Sequence, residues 1–398
     1  MSGLAVRGLE GMSLKSILTF SQIVNIMKHS ICFFVLFLCN ALVYGQTHEW
    51  AGNRWMSFLD DTVPLSTLSI PGAHDAATGD GLCINIGLGK TQHLSIAEQW
   101  DSGVRAFDLR PALCDTVLHI YHSTLRTKTS FSEAIDVILS KLSANPSEFA
   151  IVLIRHESER ENEKEKKNWS RFMGTYIQSL GNHAVVFHPH LTLGEVRGKI
   201  LFLTRNSYYG TDKGAVVTGW NHSADGTDHA RILSYASSEA ATLHMQDYYA
   251  PTSKEKQRCK MQGVSRILDK AQKAEKWVWT INFLSGYSTT WMGTGLFATT
   301  SGYKRNAEWL HPLVLDYVSS SKGTYGIVFM DFVGTDTVSG GLYHWSPFKT
   351  LTLTLQRALI HSNFLLLSAK NRNVRNNVSA VPINRYCGFI FQKVSPTI

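Results

Sequence analysis

The sequence predicts an α/β fold, a single (β/α)8-type barrel of the TIM-like kind, regular or irregular. Three observations predict it. Eight short apolar runs punctuate the chain, and several are continuous rather than alternating, as strands covered on both faces are. Amphipathic helical patterns lie between most of them, the mark of a strand-helix repeat. No G-x-G-x-x-G follows the first run, which argues against an open dinucleotide-binding sheet.

The runs come in order. The first is "LSTLSI" at 65–70, stopped by Pro71 and Gly72, with His74 and Asp75 following at once. "VRAFDLR" at 104–110 and "VLHIYH" at 117–122 are the second and third. Ser130 and Glu133 stand at capping-box spacing at the head of a helix that places Phe131, Ala134, Ile135, Ile138, Leu139 and Leu142 on one face and stops at Asn145-Pro146. The fourth run is "FAIVLIRHE" at 149–157, followed by a helix that begins charged and turns amphipathic over 161–181. "KILFLTR" at 199–205 is the fifth, and "LHMQDYY" at 243–249, the weakest pattern, the sixth. A capped amphipathic stretch over 252–275 leads to the seventh, "WVWTINFLS" at 277–285. A helix over 306–321 precedes the eighth, "YGIVFMDFV" at 325–333, and a last helix over 346–363 follows it. The segment 364–398 is basic, with a polar stretch "NRNVRNNVS" at 371–379, and reads as an appended tail.

Residues 1–45 stand apart. From Met27 to Gly45 the chain has a basic start, an apolar run and small residues at the end, the layout of a secretory signal peptide, so residues 1–26 read as a mis-called start. The body is then 46–363, and the protein is expected to be secreted or periplasmic. Of six cysteines, Cys32 and Cys39 leave with the leader. Cys83 and Cys114 each follow an apparent strand end and are the pair an oxidising compartment would join, with free thiols as the alternative; Cys259 and Cys387 complete the set. The formal charge of +8 comes from the leader and the tail. The body between them is within one charge of neutrality, so the net charge is not that of a typical nucleic-acid binder, and none is expected as a partner. "GLGKT" at 87–91 is not a phosphate loop, because Ile84 stands where the first glycine is required.

Ionisable groups gather where the apolar runs stop. His74 and Asp75 follow the first, Asp108 and Arg110 end the second, and His122 ends the third. Arg155 and Glu157 end the fourth, Arg205 the fifth, Asp247 and Tyr249 the sixth, and Asp331 the eighth. Loops at the carboxyl ends of barrel strands build active sites. Asp108 and Arg110, two apart on a strand, face the same way. Two imidazoles supply a base and an acid near neutral pH, and a fixed guanidinium stabilises charge on phosphoryl oxygens. That combination suits in-line phosphoryl transfer to a substrate hydroxyl.

The stretches "SIPGAHDAAT", "VRAFDLRP" and "IYHS" closely resemble the X-domain of phosphatidylinositol-specific phospholipase C in its bacterial, single-domain form. The likeness continues through "NPSEFAIVLIRHE", "GKILFLTR", "MQDYY" and "GIVFMDFVG", covering roughly residues 50–363. It implies that His74 is the general base toward the inositol 2-hydroxyl and that Asp331 orients it. Arg110 would hold a phosphate oxygen, and His122 would protonate the departing diacylglycerol oxygen. Asp75 and Asp108 would support the acid and the arginine, their roles undivided. Arg155, Glu157, Arg205, Asp247 and Tyr249 would form the headgroup pocket, with Tyr249 as a ring platform. The product implied is inositol 1,2-cyclic phosphate.

Calcium-using members of the superfamily hold the ion where this chain has Arg110, so no metal and no cofactor are expected. Arg155 stands where the metal-independent members usually carry lysine, a change in reach and geometry that bears on headgroup tolerance. Trp291, Met292 and Phe297, in a Gly/Thr-rich loop over 286–303, are candidates for shallow insertion into a lipid surface. The expected partner is a phosphatidylinositol-containing membrane surface, met transiently by a monomer, with neither nucleic acid nor a stable protein partner. A glycerophosphodiester or glycosylated-anchor phosphodiesterase, and a headgroup-binding module without turnover, are the alternatives.

Overall fold

Nine strands close into a barrel in the computed structural model, which describes residues 52–84, 89–251, 253–287, 300–340 and 346–372. The leader, the residues Trp291, Met292 and Phe297, Cys387 and the end of the tail lie outside the described residues. In chain order the strands are β1 (Ile70–Ala73), β2 (Ala106–Leu109), β3 (Pro111–Cys114), β4 (Val117–His122), β5 (Leu125–Ser130), β6 (Ala150–Ile154), β7 (Ile200–Thr204), β8 (Ala215–Thr218), β9 (Thr227–Ser234), β10 (Ala240–Gln246), β11 (Val278–Phe283) and β12 (Ile327–Met330). Two short strands, β13 (Thr337–Val338) and β14 (Phe348–Lys349), pair with each other. Around the barrel the order is β1-β12-β11-β10-β9-β8-β7-β6-β2, and β2 returns to β1. All neighbours are parallel except β9, which runs antiparallel to both β8 and β10.

The continuous apolar runs have the expected cause. Ile151, Leu153, Leu201, Leu203, Ile281 and Phe329 pack inside the barrel. The alternate residues Val152, Ile154, Phe202 and Val328 pack outward against helices. The helices are α1 (Ile96–Asp101), α2 (Phe131–Ala144), α3 (Glu163–Ser179), α4 (Leu193–Val196), α5 (Lys254–Lys273), α6 (Thr300–Ser320) and α7 (Thr352–Arg372). The Ser130/Glu133 capping box opens α2 as predicted, and Phe131, Ala134, Ile135, Ile138 and Leu142 are its buried residues. No described helix is long and apolar enough to cross a membrane.

Four expectations are corrected. "VLHIYH" is not a barrel strand. It is β4, the middle strand of an antiparallel three-stranded sheet β3-β4-β5. Only Asp115 and Thr116 separate β3 from β4, with Asp115 at φ 56, and so short a link reverses a strand but cannot carry a parallel crossover. Strand β9 went unread because its burial alternates, with Ala230 and Ile232 in and Arg231 out, so it lacks an apolar run; β8 is only four residues long. The first strand begins at Ile70 instead of ending there, since Leu65–Thr67 is a 3-10 turn. The last helix continues to Arg372 rather than stopping near residue 363. Cys83, Cys114 and Cys259 are free thiols.

Candidate active site

Strand register brings the first groups together. Ala73 pairs with Met330, so the next residues, His74 and Asp331, meet across adjacent parallel strands. The His74 amide donates to the Met330 carbonyl at 3.0 Å, and the ring Nδ1 lies 2.8 Å from Asp331 Oδ1. On the other side Ala73 pairs with Phe107, which sets Asp108 beside the same turn. Asp75 then breaks the strand by adopting φ 44, a left-handed conformation that aspartate tolerates better than most residues. This turn puts both side chains over the barrel mouth.

Arg110 is the hub. Its Nε lies 2.7 Å from Asp75 Oδ1, and its Nη2 lies 3.0 Å from Asp108 Oδ2 and 2.9 Å from His74 Nε2. Since a guanidinium can only donate, His74 Nε2 is the accepting nitrogen in this arrangement, and its Nδ1–H donates to Asp331. That tautomer leaves the ring ready to accept a proton at Nε2.

The chain leaves the barrel at Arg110, runs through β3, and β4 brings His122 back over the mouth. His122 Nε2 lies 3.4 Å from Asp75 Oδ2, the same oxygen that stands 3.3 Å from His74 Nε2. One carboxylate therefore touches both imidazoles. Gly89, at φ 73, passes so close to His122 that a Cβ there would sit 2.5 Å from Nδ1.

A second group continues from β6, β7 and β10. Glu157 is buried, accepts from the Ser123 amide at 3.1 Å, and stands 3.5 Å from Arg155 Nε. Arg205 Nη1 lies 3.1 Å from Asp247 Oδ2, and its guanidinium stacks 3.7 Å over the Trp220 ring. Trp220 Nε1 donates to Asp247 at 2.9 Å, and His222 Nδ1 approaches the same oxygen at 3.2 Å. Tyr249 is exposed at the rim, with its ring 5.7 Å from that of His222.

Charge and burial set the protonation states. Burial alone would depress His74, but the carboxylates of Asp75 and Asp331 more than reverse it, so its pKa rises. Burial lowers His122 despite the opposing pull of Asp75. Burial would raise Asp75, yet Arg110 and the two imidazoles hold it down at about 2. Burial lifts Glu157 to about 7 against Arg110 and Arg155. His74, Asp75 and Asp108 could bring ligand atoms within 4.8 Å of one another, as a metal site would. The Arg110 guanidinium, however, already lies against both carboxylates.

All the barrel-mouth residues expected from sequence are thus brought to one end, and several were missed. Gln92 donates to the carbonyls of His74 and Met330, both at 2.8 Å, and accepts from the Val333 amide, so it staples β1 to β12. Tyr303 Oη lies 3.2 Å from His122 Nε2. Phe283 sets its ring edge-on to His74 at 6.0 Å. Gln92 and Tyr303 lie in no strand, and no spacing singles them out. Trp220 and His222 follow β8, and the tryptophan in an otherwise polar loop was the one signal available for them.

No family model matches the chain. Curated relatives do. The chain is 27% identical over 298 residues to a 1-phosphatidylinositol phosphodiesterase of Listeria monocytogenes, covering 72% of this chain and 82% of that protein. It is 26% identical over 293 residues to the enzyme of the same name from Staphylococcus aureus strain Newman, covering 71% and 88%. Among solved structures, a phosphatidylinositol-specific phospholipase C from Staphylococcus aureus matches with a TM-score of 0.59 at 23% identity, over 77% of this chain and 97% of that one. The Listeria monocytogenes phospholipase C matches at 0.55 and 23%, over 79% and 99%. By sequence the chain is similar to bacterial 1-phosphatidylinositol phosphodiesterases, and it shares their α/β barrel fold.

Proposed function

We propose that this protein is a phosphatidylinositol phosphodiesterase that cleaves its lipid without a metal ion, by paired imidazoles. His74 Nε2 takes the proton of the inositol 2-hydroxyl. The freed oxygen bonds to phosphorus as the bond from phosphorus to the glycerol oxygen breaks. His122 gives that leaving oxygen a proton, so the products are diacylglycerol and inositol 1,2-cyclic phosphate. Arg110 faces the phosphate and stabilises the charge that grows on its non-bridging oxygen. Asp331 holds the base in its tautomer, and Asp75, touching both rings and the guanidinium, keeps the three in one geometry. Arg155, Glu157, Arg205, Asp247 and Tyr249 receive the headgroup, joined by Trp220 and His222. The observation that carries the reading is the chain of contacts from Asp331 through His74 to Arg110, which is a base with its orienting carboxylate beside a phosphate-binding cation.

The reading extends to location. A leader over 27–45 would export the chain, and the exposed Tyr249 with the 286–303 loop would meet the lipid surface. The test is a product assay on phosphatidylinositol vesicles with and without excess chelator. Cyclic inositol phosphate at equal rates in both is expected. Complete loss of turnover in chelator would overturn the arginine-for-metal argument, and a linear headgroup product would overturn the intramolecular attack.

The acid offers a local check. Gly89→Ala forces a Cβ onto His122 Nδ1 and strains a left-handed backbone position. A displacement of about 1 Å at a reacting group can cost about 10²-fold, so kcat should fall by that order while the melting temperature moves little. Wild-type kcat in this variant would show that the His122 ring position is not critical.

A further inference from the structure

One ammonium sits behind the barrel mouth that the proposed reaction does not use. The inward stripe of α5 is Lys260, Gly263, Val264, Ile267 and Leu268, so a lysine occupies a position where helices normally bury an apolar residue. Lys260 is fully buried. Its Nζ donates to Gln246 Oε1 at 3.0 Å and to the Phe283 carbonyl at 2.6 Å. Gln246 Nε2 donates to that same carbonyl and to Asn282 Oδ1, both at 2.9 Å, and Gln246 Oε1 also accepts from the Tyr248 amide at 2.6 Å. Asn282 Nδ2 closes the circuit by donating to the Val264 carbonyl of α5 at 3.0 Å.

These bonds join the carboxyl ends of β10 and β11. Gln246 and Tyr248 flank Asp247, where Arg205, Trp220 and His222 converge. The ring of Phe283 lies against His74 on one side, and on the other it meets Trp220 at 5.8 Å and the Arg205 guanidinium at 5.2 Å. We propose that Lys260 is a positioning residue that fixes the separation between the base side of the site, through Phe283, and the headgroup side, through Gln246 and Asp247. This rests on the reading of the site as a phosphatidylinositol phosphodiesterase. The charged groups facing it are Asp247 beyond β10 and Asp331 beyond β12, both attracting the ammonium, with His311 on α6. Burial, with Lys260 beside it, holds His311 down at about 3, so it is neutral and does not compete. Burial draws Lys260 itself down to about 7. A neutral amine still carries two N–H donors for its two acceptors.

The test pairs hydrogen exchange with kinetics. In the wild type the Tyr248 amide should exchange as slowly as core amides although it lies just past a strand end. In Lys260→Met, which keeps the bulk and removes the donors, that amide should lose protection. There kcat should fall and KM for phosphatidylinositol rise, lowering kcat/KM by about 10²-fold well below the melting temperature. A lysine that merely stabilises the fold would lower the melting temperature and leave both constants unchanged, and that result would overturn the proposal. So would a wild-type Tyr248 amide exchanging at loop rates, a measurement that decides the matter even if the variant fails to fold. Absence of phosphatidylinositol turnover by the wild type would sink the functional reading alone, because the exchange difference between wild type and variant reports the strand-end linkage without turnover.

Discussion

Alanine in place of His74 is expected to lower kcat/KM for phosphatidylinositol by about 10²–10⁴-fold, the usual worth of one positioned proton transfer. The loss should appear in kcat, since in the proposed mechanism the ring acts on the reacting hydroxyl and not on headgroup affinity. The pH profile gives a second reading. The carboxylates of Asp75 and Asp331 raise His74 above the ordinary imidazole value of about 6.5, and burial lowers His122 below it. Between those two values the pair holds one proton, mainly on His74, and the form the proposed reaction uses, with that proton on His122, is the minor one in equilibrium with it. Below the lower value both rings are protonated and the base is lost; above the higher value both are neutral and the acid is lost. Wild-type kcat/KM should therefore trace a bell straddling about pH 6.5, and the residual activity of His74→Ala should lack the limb that His74 supplied. An unchanged kcat or an unchanged bell in this variant would remove His74 from the chemistry.

Arg110→Lys keeps the charge and is expected to lose about 10²–10³-fold in kcat, the cost of removing a preorganised donor to developing charge. The physical reason is reach. One planar fork contacts Asp75, Asp108 and His74 Nε2 at once, and a single ammonium cannot reproduce that spread. Arg110→Leu should do more, leaving two buried carboxylates without their cation. Asp75 is held at about 2 in the folded chain, below its unfolded value of about 3.9, so its ionised form contributes stability above about pH 4 that is lost as pH falls toward 2. The leucine variant forfeits that contribution. Its deficit in melting temperature against wild type should be large at pH 7 and shrink toward pH 3. A deficit that is constant with pH would mean that the Arg110–Asp75 pair does not set the Asp75 pKa.

The barrel was legible because its strands are short and covered on both faces. Runs such as "FAIVLIRHE" and "KILFLTR" admit few other readings, and the ionisable residue at the end of each marks the mouth. Asp331 was readable in the same way. What escaped has specific causes. Strand β9 buries Ala230 and Ile232 between the exposed His229 and Arg231, so it has the pattern of an ordinary surface strand. His122 looked like a barrel residue because "VLHIYH" is apolar enough, although the two-residue links on either side of β4 already forbid a parallel crossover. Gln92, Trp220, His222 and Tyr303 come from loops and a helix, where polar and aromatic residues are common and no period distinguishes a site residue from a bystander. Lys260 sat in a charged amphipathic helix, and only packing reveals that it faces inward.

The sequence by itself determined the fold class and the chemical inventory at the mouth, because hydrophobic period and strand-end residue types are local properties that folding does not alter. Tertiary structure alone decided which of those groups touch. That one Asp75 oxygen meets both imidazoles, that Arg110 turns His74 Nε2 into an acceptor, and that Lys260 ties two strand ends together all depend on distances between residues far apart in the chain. Such distances are set by strand register, a left-handed turn and the packing of helices on the barrel, none of which is written in any single stretch of residues.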